Sequence, residues 1–106
     1  MTQCELQNFL GNAAALPRTT TLFRETGIRT LLLHLKAGER IPEHQTRGAI
    51  LVHCVTGQGA FFADDRVELR SGILISVPPE SPHSVVAAED GDLLLLVTVS
   101  EQAVNG

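Results

Sequence analysis

The feature that most narrows what this chain can become is its punctuation. Short runs rich in Leu, Val, Ile and Thr follow one another, each closed by Gly, Pro or an acidic turn pair. Residues 19–25 and 28–36 read as strands around Thr26-Gly27, followed by 41–46, 49–56, 60–63, 66–70, 73–77, 83–88 and 92–99. Asp64-Asp65 reads as the tip of one hairpin, and Asp90-Gly91, the stronger signal, as the tip of another joining the last two strands. Pro78-Pro79 stops the run before it, because proline has no N–H to give a central ladder. This spacing predicts an all-β sandwich or barrel. Residues 19–100 are expected to form it, with 1–18 as an N-terminal segment and 101–106 as a tail. Leu6, Phe9, Leu10, Ala13 and Ala14 fall at helical spacing, so the N-terminal segment reads either as an arm or as a short helix that Gly11 weakens.

The 106 residues close one core and leave no length for a second catalytic domain. A formal net charge of −4, with eight Lys and Arg scattered along the chain, supplies no basic stripe for a phosphate backbone, so nucleic acid is not an expected partner. Four Phe and no Trp or Tyr leave few platforms for stacking bases or sugars. The longest apolar run, 93–97, falls far short of the roughly 20 residues that span a bilayer, so no membrane partner is expected. No basic residue precedes Arg18, which argues against a signal peptide. A cytoplasmic chain with Cys4 and Cys54 as reduced thiols is the expectation.

Two runs, 31–35 and 93–97, are apolar at nearly every position. An antiparallel strand with one wet face alternates, so something must cover the second face of each. A second copy of the chain is the expected cover, which makes a homodimer the expected assembly.

From Gly38 to Gly59 the chain resembles the first motif of the cupin superfamily: Gly, five residues, His, one residue, His, three or four residues, Glu, six residues, Gly. Gly38, His44 and Gly57 are in register. The stretch from Gly72 to His83 resembles the second motif, with Gly72, Pro78 and His83 in place and Glu80 where that motif has its second glycine. The resemblance implies a double-stranded β-helix, the cupin or jelly-roll barrel, over roughly residues 19–99. It further implies that His44 and His83 converge inside the barrel, where metal-binding members hold one divalent ion.

The match to that ligand set is incomplete. Thr46 occupies the second histidine position and Ile50 the glutamate position. Two imidazoles fall short of the three or four protein donors that usual sites supply. His53, on the strand after the His44 loop, is the candidate third ligand. Strict alternation from an inward Ile50 would instead turn Cys54 inward and His53 outward, whereas a bulge near Gly48 would reverse that. The expected metal residues are therefore His44, His53 and His83, with Fe, Mn, Ni, Cu or Zn as the divalent ion. His34, flanked by leucines, reads as a hydrogen-bonded core or interface histidine. Glu43, Arg47 and Glu80 fall near the mouth by sequence alone.

The residues support two functions. In one, the metal leaves open positions for a small organic ligand and could support catalysis; in the other, the cavity binds or senses a small molecule without metal. Fold membership alone does not choose between them, and whether the chain is an enzyme stays open.

Overall fold

The computed structural model describes residues 1–101; the remainder of the expected tail, 102–106, lies outside the described residues. Nine strands follow one another: β1 (Thr19–Glu25), β2 (Ile28–Leu35), β3 (Arg40–His44), β4 (Ile50–Thr56), β5 (Gly59–Phe62), β6 (Arg66–Leu69), β7 (Leu74–Val77), β8 (His83–Ala87) and β9 (Leu93–Ser100). They form two antiparallel sheets, one ordered β1-β2-β9-β4-β7 and the other β3-β8-β5-β6. This is the all-β, two-sheet architecture expected from the turn spacing.

β9 lies at the centre of the larger sheet. It pairs with β2 from Ile28↔Ser100 to Leu35↔Leu93, and with β4 from Ile50↔Val99 onward. Its inner face, with Leu93, Leu95 and Val97, joins Leu31, Leu33 and Leu35 of β2 and Phe61, Val85 and Ala87 of the other sheet in one core. Burying such side chains contributes about 1.5–3 kcal/mol each, which is what holds the sheets face to face.

The turn at Asp90-Gly91 does not close a hairpin. β8 lies between β3 and β5 in one sheet and β9 lies in the other, so the turn carries the chain between sheets. The side chains explain why. β8 alternates buried and half-buried positions, whereas β9 opens with three buried residues in succession and fits only a centre covered on both faces. Asp92 fixes the crossover: its carboxylate accepts from the Ala37 N–H at 3.1 Å and meets His34 Nε2 at 2.8 Å. The Asp64-Asp65 hairpin forms as expected, with Phe62 opposite Arg66.

The second face of β2 and β9 is closed within the chain itself where Leu32, His34 and Leu94 are buried. The end of the N-terminal segment reaches this face, where the Arg18 carbonyl accepts from the His34 N–H at 2.7 Å; before it come one helical turn, α1 (Gln7–Leu10), and a 3-10 turn at Ala13–Ala15. The His34 ring bridges the Leu16 carbonyl (Nδ1, 3.0 Å) and the Asp92 carboxylate. A second copy is therefore not required to cover this part of the face. No helix among the described residues is long and apolar enough to cross a membrane, and Cys4 and Cys54 are unpaired thiols.

Candidate functional site

β3 ends at His44 and β8 begins at His83, and the two are direct partners across the ladder. β3 is an edge strand, which is why Pro42 is tolerated two residues before His44. The imidazole centroids lie 4.3 Å apart at an interplanar angle of 60°. His83 is buried and also stacks on Phe61, with centroids 5.8 Å apart, while His44 is exposed.

Both rings are oriented in the same way. His44 Nδ1 donates to the Pro42 carbonyl at 3.0 Å and His83 Nδ1 donates to the Ser81 carbonyl at 2.9 Å. A ring nitrogen that donates to a carbonyl carries the proton, so in each neutral imidazole Nε2 keeps its lone pair. Neither Nε2 has a hydrogen-bond partner among the described residues.

The two loops that carry these rings are tied together. The Glu80 N–H donates to the Thr46 carbonyl at 2.7 Å. Glu80 takes a left-handed φ of 62°, which gives a physical reason for the glycine that the motif has at this position. Thr46, in the second histidine position, turns its hydroxyl to the Gly48 carbonyl at 2.9 Å. At Gly48 a Cβ would stand 1.9 Å from the Ser100 carbonyl oxygen, so only glycine lets this loop pass the end of β9.

His44, Thr46 and His83 open onto a cavity of about 230 Å³ whose wall includes Arg29, Leu31, Ile50, Val52 and Val97. The bottom of the barrel is solid, with Leu35, Cys54 and Leu93 wholly buried. Burial pushes the Cys54 thiol pKa up and leaves it an inert core residue.

His53 does not join the pair. Ile50, Val52 and Cys54 are buried on the inner face of β4, whereas Leu51 is 57% exposed and His53 lies with it on the outer face, beside Leu74 and Leu96. The pairing of β4 with β7 runs without a break from Ile50 to His53, and the one irregularity against β9 comes after Cys54. No bulge therefore reverses the alternation. Among the described residues no group of three His, Cys, Asp or Glu side chains could hold a metal ion. With isoleucine in the glutamate position, the residues present do not fit the three-donor centre expected from the sequence.

Sequence reasoning missed Arg29, which lines the cavity. The signal was available, since Arg29 shares the parity of Leu31, Leu33 and Leu35 on β2.

A family model for the cupin domain matches residues 31–99. The chain belongs to the cupin family. Among solved structures, this cupin is similar to a protein of Thermus thermophilus, at 21% identity over 94% of this chain and 97% of that one, with a TM-score of 0.77. It is also similar to a cupin superfamily protein of Desulfitobacterium hafniense (19% identity, 79% and 76% covered, TM-score 0.71). An RmlC-like cupin protein of Desulfovibrio desulfuricans gives 24% identity, 78% and 82% covered, and a TM-score of 0.67. At these identities the likeness concerns the fold alone. No curated protein matches the sequence.

Proposed function

We propose that this cupin binds a small organic molecule in its barrel, with His44 and His83 meeting the ligand's polar group at the mouth. The observation that carries this reading is the pair of imidazoles at one cavity wall, each held by a backbone carbonyl and each left with an unpartnered Nε2. Preformed cavities with an apolar wall and a few oriented polar groups are the usual form of a ligand site. The apolar wall supplies affinity through burial, and the two Nε2 atoms select a ligand that offers hydrogen-bond donors.

The same two nitrogens favour a second reading, in which His44 and His83 take a divalent transition metal once the ligand supplies the missing donors. Imidazole suits Fe, Ni, Cu and Zn alike. One experiment separates the readings: titrate tag-free protein with each ion, with and without a small-molecule library, and repeat on His44→Ala/His83→Ala. Ligand binding to metal-free protein that the double variant loses supports the first reading. Stoichiometric metal that only wild type retains supports the second, and ligand binding untouched by the double variant removes both.

We further propose that the chain is a homodimer through the outer face of β4 and β7, where Leu51 and Leu74 stand 57% and 73% exposed on neighbouring strands. Apolar side chains clustered at an exposed face are the usual mark of a partner surface. Light scattering should report twice the chain mass, and a monomer for Leu51→Glu/Leu74→Glu; a monomeric wild type at micromolar concentration would overturn the assembly.

A further inference from the structure

We propose that the ligand is a small monocarboxylate with an apolar body, and that Arg29 is the residue that binds its carboxylate. The inference rests on the ligand-binding reading above and adds to it the charge and chemical class of the ligand.

Among the described residues that line the cavity, Arg29 alone carries a fixed charge. Its Nε is buried and has no hydrogen-bond partner among the described residues. The Glu101 carboxylate approaches that nitrogen at 3.5 Å without completing a hydrogen bond. Directly across the ladder from Arg29 stands Arg24, so two guanidiniums share one face of the β1–β2 pair. Like charges placed opposite one another repel. Glu101 is divided between them, meeting Arg24 Nη1 at 3.6 Å, so two cations share one carboxylate through two long contacts.

A buried donor without a partner is costly, and a guanidinium is shaped to grip a carboxylate through two parallel hydrogen bonds. A ligand carboxylate would complete the Arg29 donor set and relieve the repulsion from Arg24. The rest of the wall limits the body attached to that carboxylate. Leu31, Leu33, Val52, Phe61 and Val97 offer nothing to a second charge, and burying an unpaired charge against them would be prohibitive. This argues against a phosphate dianion and for one negative charge on a hydrocarbon body. The volume, about 230 Å³, lies below the roughly 300–1,000 Å³ that hold drug-sized ligands, so the body is the size of a short acyl chain or one ring. His44 and His83 line the same cavity and can accept from a hydroxyl on that body.

The test uses the full chain, freed of metal with a chelator, and calorimetric titration with hexanoate and benzoate, their neutral amides, and inorganic phosphate. The expected result is that each acid binds at least tenfold more tightly than its amide and that phosphate does not bind. Arg29→Gln should weaken the acids tenfold or more and leave the amides unchanged. Glu101→Gln, which removes the competing carboxylate, should tighten the acids severalfold, an effect that a purely structural Arg29–Glu101 pair would not produce. Acid and amide binding alike, Arg29→Gln binding acids as wild type does, or no binding of any acid would each overturn the proposal. Acids that bind no more tightly than their amides, lost in His44→Ala/His83→Ala and unchanged in Arg29→Gln, would sink the carboxylate assignment while leaving the histidine site standing.

Discussion

The two ends of the barrel are built from opposite choices. At the closed end Leu35, Cys54 and Leu93 are wholly buried, and backbone passes so close that a Cβ on Gly57 would stand 2.2 Å from the Asp92 carbonyl oxygen. The side chains of Leu35, Cys54 and Leu93 serve packing there. At the mouth, among the described residues, an arginine Nε and two imidazole Nε2 atoms have no hydrogen-bond partner, and Glu80 holds a left-handed backbone without being glycine. Such features cost stability, and they persist only where the rest of the structure outweighs them. The contrast separates an end built for packing from an end that carries the proposed ligand site.

Mutations at the two ends should therefore differ in size and in sign. Leu93→Ala removes a wholly buried side chain from a site where close backbone contacts prevent collapse, and is expected to destabilise the fold by about 2–5 kcal/mol. At the mouth, Glu80→Gly is expected to stabilise. Relief of the left-handed φ is worth about 1–2 kcal/mol, against about 0.5–1 kcal/mol for the added flexibility of glycine in the unfolded chain. The net is a gain of up to about 1.5 kcal/mol, centred on roughly 0.7 kcal/mol, read from chemical denaturation. If Leu93→Ala proved mild and Glu80→Gly destabilising, the division between a packed end and a strained end would be wrong.

The same division governs what the sequence could say. Strand positions were legible because turn residues and apolar runs act locally, and His44 and His83 could be named because they fall on fixed offsets from Gly38 and Gly72. The sheet partner of β9 was not legible. Asp90-Gly91 looks like a hairpin in any local window, and only the burial of both faces of residues 93–95 places β9 in the other sheet. His53 turned on one unit of parity, set by whether the loop at Gly48 adds a residue to β4, and close packing of Gly48 on Ser100 is a long-range fact. Arg29 was overlooked because a leucine-rich strand reads as uniformly apolar, although its alternation with Leu31 and Leu33 already turned it inward.

The smallest expected effect lies at the crossover, on the outer side of the larger sheet. The hydrogen bond from His34 is the main cause that holds the Asp92 carboxyl below its ordinary value of 3.8, helped by the Ala37 N–H and opposed by desolvation. A carboxylate whose folded pKa is depressed contributes stability that is fully present above its unfolded pKa and is lost as pH falls through the lower folded value. Asp92 is partly exposed, so solvent screens the pair and the contribution is modest. Asp92→Asn should lower Tm slightly at neutral pH, by less than Leu93→Ala does, and the gap from wild type should close as pH is taken below about 3.8. A gap close to zero at every pH would mean that Asp92 holds the crossover through the Ala37 hydrogen bond and its shape rather than through its charge. In that case asparagine, which can accept the same bond, should support the turn almost as well, and the N-terminal segment would owe its place to His34 and Leu16 alone.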